Sequence, residues 1–526
     1  MVRCVLGIDL GTSSLKAVLL REDGTVVGSA TRSYPIDVPQ PGWAEQDPEQ
    51  WWGAACAATR ALLEQAAAPP GQVVAICAGG QMHGTVLLDR EGGLVRPAII
   101  WPDQRAGQEA GEADAALQDA ALLPRLGGGV SPGFMLASLL WCRRHEPDRW
   151  TRVATALLPK DYLRYRLTGI PASEPSDGTG IPAIDLFEVT SGTSFAPADP
   201  AVPGGMAADH PWCLPALRAL DLPAGIFPPL LASAAPAGAI TPEAAAATGL
   251  RTGTPVLCGG SDQAMAAVGA GLLAPGTLLI SISTGGQLVT PLHAPLPDPR
   301  QGLRTLCHAL PRTYLALAAT LGAGLSLRWL REEVLDDRAP DADVRLMDQA
   351  ATAPPGAGGL LFLPYLAGER APLLDPATSG AFIGLRLDHG RPHLARAVLE
   401  GIAFSLRHAM EPLEQAGVHP TTIILAGGAA QSPVMRRIMA DVLGRPVASL
   451  ETAEQSALGA ALLAAQHAGF FPTLQAACDA VVRYGPPVEP SPRYTALYEE
   501  LFVQYRGLYP ALRDTTHALR RLGATR

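Results

Sequence analysis

The stretch VLGIDLGTSSLKAVLL, residues 5–20, places a short turn of glycine and hydroxyl residues between two apolar, strand-like runs. Such runs on either side of a tight turn favour an antiparallel strand pair. An Asp-Gly dipeptide follows at residues 23–24, and a third strand is expected after it, because Asp-Gly is a common hairpin connection. The chain is therefore predicted to begin with a β-meander whose first turn carries one glycine and three hydroxyl groups.

Parts of this pattern return in the second half of the chain. LLISISTGGQLVTP, residues 278–291, again joins two apolar runs through threonine and glycine. VVAICAGG (73–80) and IILAGG (423–428) each carry an apolar run into a Gly-Gly pair. Apolar residues at helical spacing occupy 47–67 and 393–417. Alternating strands and helices predict an α/β chain, and the recurrence suggests that one α/β unit is duplicated.

The length of the chain sets its domain organisation. At roughly 150 residues per domain, 526 residues predict two to four domains. We expect two main domains of similar size, residues 1–252 and 253–480, followed by a helical extension over 481–526. The stretch 190–210, rich in glycine, serine and proline, is predicted to be a long flexible loop.

Composition and charge exclude several classes of protein. The net charge of −9, without a dense run of lysine or arginine, argues against nucleic acid as a partner. Eight cysteines without a CxxC pair are expected to be reduced thiols. Asp9 interrupts the apolar run that a signal peptide would need, and no unbroken apolar stretch is long enough to span a membrane. These features predict a cytoplasmic protein without membrane association.

The turns at residues 11–16 and 283–286 have the chemistry of phosphate-binding turns. Backbone N–H groups and hydroxyls can hold phosphate oxygens without net positive charge, although either turn alone is also compatible with an ordinary hairpin. Neither follows the P-loop pattern, and no convincing GxGxxG supports dinucleotide binding. Asp9 lies in the strand before the first turn, where burial would require a partner. That partner is either Mg²⁺ or the turn itself.

Asp262 lies in LCGGSDQAMAAVGAG, residues 257–271, where an apolar run meets two glycines and a helix-like stretch begins. Aspartate at this junction is a favoured helix N-cap, because its oxygen accepts the free N–H groups of the first turn. It is equally placed to act as a catalytic carboxylate. The local sequence leaves both interpretations open.

Longer segments add to these patterns. They are GIDLGTSSLKAVL (7–19), GQMHGTVLLD (80–89), RPAIIWPDQRA (96–106), LPKDYLRYRLTG (158–169), GGSDQAMAAVGAG (259–271), SISTGG (281–286), LPYLAGERAPLLDPATSGAFIGL (363–385) and AGGAAQSPVMRRIMADVLGRPV (426–447). In this order, they resemble the FGGY family of carbohydrate kinases over nearly the whole chain. Among its members, the chain most resembles those that phosphorylate D-xylulose.

The resemblance implies the ATPase fold of actin, hexokinase and Hsp70, in which two ribonuclease-H-like α/β domains surround a central cleft. Asp262 is implied as the general base, and Asp9 and Asp262 as the carboxylates near Mg²⁺. The residues implied to bind the phosphates and the rest of the nucleotide are Thr12, Ser13, Ser14, Lys16, Thr284, Gly285, Gly324, Gly428 and Ser432. The residues implied to bind the sugar are Met82, His83, Trp101, Asp103, Asp262 and Gln263.

The expected activity is phosphorylation of a ketopentose by ATP with Mg²⁺, with D-xylulose as the sugar because of the Met82–His83 pair. The sequence departs from the family at Pro102, at Ser138 and in EPSDGTGI (174–181), all in the sugar domain. Ribulose, an erythritol-type polyol and gluconate therefore stay as alternative substrates. A non-catalytic ATP-binding regulator on the same fold is the alternative of another class. The expected partners are the sugar and ATP, and a homodimer is left open.

Overall fold

The computed structural model describes residues 2–66, 70–187, 212–296, 302–452 and 454–524. The predicted flexible loop at 190–210 lies outside these ranges. The strands are β1 (Cys4–Leu10), β2 (Ser14–Arg21), β3 (Val26–Ser33), β4 (Glu45–Gln46), β5 (Val73–Gly80), β6 (Val86–Leu88), β7 (Ala98–Ile99), β8 (Thr155–Leu157), β9 (Pro236–Ala239), β10 (Pro255–Leu257), β11 (Gly260–Ser261), β12 (Thr277–Ile282), β13 (Gly286–Leu292), β14 (Arg304–Cys307), β15 (Tyr314–Thr320), β16 (Leu361–Leu363), β17 (Ala381–Ile383), β18 (Thr422–Ala426) and β19 (Val447–Ser449).

The α-helices alternate with these strands. They are α1 (Pro48–Gln65), α2 (Gly107–Asp119), α3 (Met135–His145), α4 (Pro147–Trp150), α5 (Pro159–Thr168), α6 (Pro175–Gly178), α7 (Leu214–Ala219), α8 (Pro242–Thr248), α9 (Asp262–Gly269), α10 (Gly324–Trp329), α11 (Ala342–Thr352), α12 (Arg391–Gln415), α13 (Pro433–Leu443), α14 (Gln455–His467), α15 (Leu474–Val481) and α16 (Pro492–Ala524). Helix α1 lies within the predicted helical stretch 47–67, and the structure shows Asp47 as its N-cap and a proline in its first turn.

Two mixed sheets form the framework of the molecule. The first has the order β3-β2-β1-β5-β10-β9, with β11 also paired to β5, and the second has the order β14-β15-β13-β12-β18-β19. In the first sheet, an antiparallel meander of β1, β2 and β3 is extended by parallel β5 and β10. In the second, an antiparallel meander of β12, β13 and β15 is extended by parallel β18 and β19. The shared strand order confirms the duplicated α/β unit.

The two sheets divide later in the chain than the predicted boundary at residue 252. Strands β10 and β11 follow that position but pair with β5 of the first sheet, because both continue its parallel side. The second sheet begins at Thr277. We call the part of the chain up to Gly269 the first lobe and the part from Thr277 the second lobe.

Helices α9 and α14 lie between the two sheets and join the lobes. Apolar residues of α9 and α14 share one buried cluster with Val5 and Val18 of the first sheet and Leu279 of the second. The two helices approach at backbone distance, since a Cβ atom on Gly459 would lie 1.8 Å from the carbonyl oxygen of Met265. Small residues at these positions therefore allow both helices to pack between the sheets.

The C-terminal extension is helical, as the sequence predicts, and α16 packs on the second lobe. Its Tyr498, Phe502 and Tyr505 are buried in the core of that lobe. His517 Nε2 and Tyr509 OH lie 2.7 and 2.9 Å from Asp375 Oδ2, so the helix also contacts the loop that contains Asp375.

Candidate active site

A cleft of about 310 Å³ lies where β1, β2 and α9 of the first lobe face the start of α14. The residues that line it are Asp9, Lys16, Asp262, Gln263, Ala266, Glu454, Gln455 and Ser456. Both predicted metal-binding carboxylates and the predicted phosphate-binding lysine therefore line the same cavity. Asp262 comes from a segment that is far in sequence from the β1–β2 hairpin, which carries both Asp9 and Lys16.

Asp262 stands at the point where β11 turns directly into α9. Strand β11 is held in the first sheet by its pairing with β5, in which Ser261 lies beside Gly80. Ser261, not Asp262, is the N-cap of α9, and its hydroxyl accepts a hydrogen bond from the N–H of Ala264 at 3.2 Å. Asp262 is the first helical residue, and its Oδ1 accepts from the N–H of Gln263 at 2.7 Å. The capping function therefore belongs to its neighbour.

The environment of Asp262 makes its carboxyl group a weaker acid than usual. Burial in the cleft, and next the charge of Asp9, raise the pKa of Asp262 to about 7. Desolvation disfavours the charged form of an acid, and a nearby carboxylate adds repulsion. A carboxylate whose pKa lies near neutral pH can both accept a proton and release it again. Asp262 therefore has the properties of a general base.

Asp9 supplies the second carboxylate of the cleft from within β1. Burial raises its pKa, while the hydrogen bond from Ser456 and the charge of Lys16 oppose that shift. Ser456 Oγ donates to Asp9 Oδ1 at 2.9 Å, so the start of α14 holds this carboxylate in place. Two carboxylates that repel each other in a cleft suit Mg²⁺, which usually takes one or two protein carboxylates together with water and phosphate oxygens.

The first predicted phosphate turn connects β1 to β2 as a tight hairpin. Its turn is closed by a hydrogen bond from the N–H of Gly11 to the carbonyl of Ser14 at 3.0 Å. Lys16 lies opposite Asp9 in the β1–β2 register, so both side chains are on one face. The Lys16 ammonium is 2.7 Å from Glu454 Oε2, across the cleft at the start of α14. Glu454 adopts a left-handed φ of 54°, which is uncommon for a residue other than glycine.

The second predicted turn connects β12 to β13 and is supported by the start of α10. Gly324 N donates to the carbonyl of Ser283 at 2.7 Å, and Leu325 N donates to that of Thr284 at 2.9 Å. A Cβ atom on Gly324 would lie 2.3 Å from the Ser283 carbonyl oxygen, so this contact requires glycine. Gly324 thus supports the turn that contains Thr284 and Gly285.

The two remaining predicted nucleotide residues lie where β18 leads into α13. Gly428 is exposed and has open space around its Cα, which leaves room for a ligand. Ser432 is the N-cap of α13, with its hydroxyl 3.4 Å from the N–H of Met435. The structure therefore gives Ser432 a capping function, and its contact with nucleotide stays a prediction.

His83, in the turn after β5, has a defined tautomer. Its Nδ1 lies within hydrogen-bond distance of the Gly180 carbonyl, which can only accept, so Nδ1 carries the proton. Burial, followed by the charge of Arg304, lowers the pKa of His83 to about 3. The neutral ring stacks on Phe134 with centroids 3.9 Å apart. Its Nε2 is therefore left as an acceptor for a hydroxyl group.

Met82 is buried beside the same segment. A Cβ atom on Gly180 would lie 2.5 Å from Met82 Cε, so glycine is needed where this segment crosses the turn. Gln263, by contrast, lines the cleft directly after Asp262. The structure thus divides the predicted sugar residues between the buried turn after β5 and the start of α9.

Trp101 and Asp103 have different surroundings from each other. Trp101 is partly exposed, and its Nε1 donates to Thr12 Oγ1 at 2.8 Å, which links the predicted sugar loop to the first phosphate turn. Asp103 is fully buried. Its oxygens accept from the N–H groups of Ala44 and Arg105 at 2.6 and 2.8 Å and form an ion pair with the Arg105 guanidinium at 2.7 Å. Asp103 is therefore not free to bond a sugar hydroxyl, contrary to expectation.

Several residues of the site were not identified from the sequence. Glu454 and Ser456 stand at the start of the small-residue helix α14 as Ser261 and Asp262 stand at the start of α9, and this similarity could have drawn attention to them. Phe134 and Arg304 gave no local signal. Arg304, from β14 of the second lobe, lies 4.7 Å from the centroid of the Phe134 ring and donates to the carbonyl of Gly129 at 3.0 Å.

Two structural features are absent from the described part of the chain. No helix there has both the length and the apolar composition needed to cross a bilayer. Over the same ranges, no three or more histidine, cysteine, aspartate and glutamate side chains form a metal-binding group by themselves. A Mg²⁺ ion at Asp9 and Asp262 would therefore need further oxygen ligands from water and phosphate.

Comparison with known proteins gives consistent matches along the chain. It is 33% identical to the xylulose kinase of Bacillus subtilis strain 168 over 520 residues, which are 99% of each chain. It is 36% identical to the xylulose kinase of Escherichia coli strain K12 over 460 residues, which cover 87% of this chain and 89% of that relative. The crystal structure of xylulose kinase from Rhodospirillum rubrum matches with a TM-score of 0.87 at 35% identity, covering 98% of this chain and 100% of that chain.

The family matches follow the two lobes. The N-terminal domain of the FGGY family of carbohydrate kinases matches residues 4–193 and 208–269, and the C-terminal domain of that family matches residues 278–468. The break between them coincides with the break between the two sheets, and the predicted two-domain α/β fold is confirmed. With both domains present in order, and with relatives of this identity along almost the entire length, the chain belongs to the FGGY family of carbohydrate kinases.

Proposed function

We propose that this kinase transfers the γ-phosphoryl group of ATP to a ketopentose, converting D-xylulose to D-xylulose 5-phosphate. The reaction type rests on one observation. Ser261, not Asp262, caps α9, and the Asp262 carboxyl group lines the cleft with a raised pKa. The choice of sugar is supported by relatives named xylulose kinase at 33% and 36% identity. A neutral His83 with a free acceptor nitrogen suits an uncharged sugar hydroxyl.

The residues of the cleft can perform this transfer in one step. The C5 hydroxyl of the sugar donates its proton to the Asp262 carboxylate while its oxygen bonds to the γ-phosphorus. The bond from that phosphorus to the β,γ-bridging oxygen breaks, and ADP leaves with that oxygen. Asp262 then returns the proton to water. Phosphoryl transfer of this kind depends on positioning and charge neutralisation and needs no covalent enzyme intermediate.

Charge around the phosphates comes from the remaining cleft residues. Lys16, which pairs with Glu454 at 2.7 Å, is partly exposed and can exchange this partner for phosphate oxygens. The hydroxyls of Thr12, Ser13 and Ser14 and the backbone of Thr284 and Gly285 supply neutral donors. Asp9 and Asp262 would hold Mg²⁺, which when bound neutralises part of the charge on the β- and γ-phosphates.

None of the eight cysteines, all of which lie in the described ranges, forms a disulfide bond, which supports a cytoplasmic location as part of this proposal. The homodimer stays a prediction.

A substrate screen tests the proposal directly. ADP release would be measured with ATP and Mg²⁺ over D-xylulose, D-ribulose, erythritol, glycerol and gluconate. We expect the highest kcat/KM with D-xylulose. A higher kcat/KM with another sugar would assign that sugar instead. Failure of every sugar to stimulate ADP release, with ATP still bound, would favour the non-catalytic regulator.

The pH dependence of the reaction follows from the raised pKa of Asp262. A general base must be ionised, so kcat/KM for the sugar should rise with pH and be lost as pH falls through about 7. His83, with a pKa of about 3, stays neutral throughout this range and adds no second limb. The measurement is kcat/KM between about pH 5 and pH 9 at saturating ATP. A flat profile across this range would contradict the assignment of Asp262.

A further inference from the structure

The segment Glu174–Gly180 lies behind the cleft and contacts both halves of the proposed sugar site. It contains the short helix α6, and it is part of the EPSDGTGI stretch in which the sequence departs from its family. Gly180, at its end, accepts the hydrogen bond from His83. Ser176, near its start, reaches the backbone directly before Asp262. The segment therefore connects the predicted sugar-binding histidine to the backbone that carries Asp262.

The hydroxyl group of Ser176 both accepts and donates a hydrogen bond. Its Oγ accepts from the N–H of Ser261 at 2.9 Å and donates to Glu174 Oε1 at 2.9 Å. Glu174 and Ser176 are fully buried, so water cannot replace either contact. A buried N–H that loses its acceptor retains the full penalty of desolvation. The backbone of Ser261 is thus anchored from a residue 85 positions earlier in the chain.

Glu174 is in turn held by a dense set of donors. Its carboxylate accepts from the N–H groups of Ser176 and Asp177, both at 2.8 Å, and from Ser233 Oγ, also at 2.8 Å. The buried ammonium of Lys160 lies 3.6 Å away and is shared with Asp161 and Asp177, at 2.6 and 3.5 Å. A carboxylate with this many donors and a buried cation is rigid, so it can fix the Ser176 hydroxyl in one orientation.

Ser261 is constrained on its other sides as well. It pairs with Gly80 of β5, and its own hydroxyl caps α9 through Ala264. The hydrogen bond from the Ser261 N–H to Ser176 Oγ adds a side-chain contact to this strand pairing and this helix cap. It acts on the backbone directly before Asp262, so it bears on where that residue places its carboxylate.

We propose that Ser176, held by Glu174, is a positioning residue that aims the Asp262 carboxylate at the sugar hydroxyl. This inference rests on the proposed function, because it takes Asp262 as the general base. Ser176 itself touches neither sugar nor nucleotide in this scheme. Its contribution is to keep the base at reacting distance, where a displacement of about 1 Å lowers the rate by about 10²-fold.

The test compares Ser176→Ala with Ser233→Ala as a matched control. Both variants remove one buried hydroxyl that donates to Glu174, but only Ser176 also contacts Ser261. For Ser176→Ala we expect kcat to fall by about 10–100-fold with little change in the KM for D-xylulose. For Ser233→Ala we expect kcat close to that of the wild type. Thermal unfolding of both variants would show that their losses of stability are similar.

The separate effects on kcat and KM distinguish positioning from a general loss of stability. A displaced base slows proton transfer from the bound sugar, so kcat should fall in Ser176→Ala while the KM for D-xylulose stays close to that of Ser233→Ala. If Ser176→Ala does not fold, Ser176→Cys, which keeps only a weak donor and acceptor, is compared with Ser233→Ala instead, and its kcat should fall without a change in KM.

The outcomes distinguish this inference from the proposed function. Equal falls of kcat in Ser176→Ala and Ser233→Ala, or no fall of kcat in Ser176→Ala, would overturn the positioning function while leaving Asp262 as the base. Full activity of Asp262→Asn would instead show that Asp262 is not the general base, and both proposals would then be wrong. A fall of kcat confined to Ser176→Ala, with the KM for D-xylulose unchanged, would support the inference.

Discussion

Asp262→Asn should lower turnover by about 10²–10⁴-fold, the usual contribution of a positioned base. Asparagine keeps the shape of the side chain and can still accept the hydrogen bond from Gln263 N, but it cannot take a proton from the sugar. Helix α9 should not be weakened, since Ser261 provides its N-cap. The measurements are kcat with D-xylulose and ATP, and ATP affinity by calorimetry, which we expect to be retained.

A control substitution separates the loss of the proton acceptor from the general effect of replacing an aspartate by asparagine. Asp47→Asn alters the N-cap of α1, where asparagine caps about as well as aspartate, outside the residues that line the cleft. It should leave turnover close to that of the wild type. Near-wild-type turnover in a folded Asp262→Asn protein would mean that the base is another residue.

Gly459→Ala should destabilise the whole protein by about 3 kcal/mol or more, at the upper end of the range for overpacked cores. The added Cβ atom would lie 1.8 Å from the carbonyl oxygen of Met265, and backbone atoms of α9 cannot move aside without separating the two helices. In an exposed helix, the same substitution would gain about 1 kcal/mol from helix propensity. Steric overlap between backbones is much larger than that gain.

The control for this prediction is Gly53→Ala in α1. Gly53 is exposed within the helix, and nothing lies within 4 Å of a Cβ atom built on it. Gly53→Ala should therefore raise the midpoint of thermal unfolding, whereas Gly459→Ala should lower it sharply or leave no folded protein. Equal stability of Gly459→Ala and the wild type would show that α9 and α14 can separate without loss.

Features that depend on neighbouring residues were predicted from the sequence. The β-meander that begins at residue 5, the helix within 47–67 and the repeated unit all follow from local periodicity and turn chemistry, which act over a few residues. The pattern of motifs also identified the family, because each motif keeps its order along the chain. These predictions needed no knowledge of which segments meet in space.

The roles of individual side chains depended on distant contacts. The sequence alone left Asp262 as either cap or base, and only the geometry of Ser261 assigns the cap to the other residue. Asp103 was expected to bond the sugar, yet Ala44 and Arg105 occupy its oxygens. These differences arise because burial and hydrogen bonding depend on which residues are close in space, and the sequence alone does not show this.

The sequence by itself determined the α/β class, the duplicated unit, the family and the position of the two glycine-containing turns, since each is encoded in contiguous residues. Only the tertiary structure decided the protonation states of Asp262 and His83. The raised pKa of Asp262 comes from burial and from Asp9, and the neutral state of His83 comes from burial beside Arg304 of the other lobe. Desolvation and charge act through space, so they are fixed when α9 and α14 bring the two lobes together.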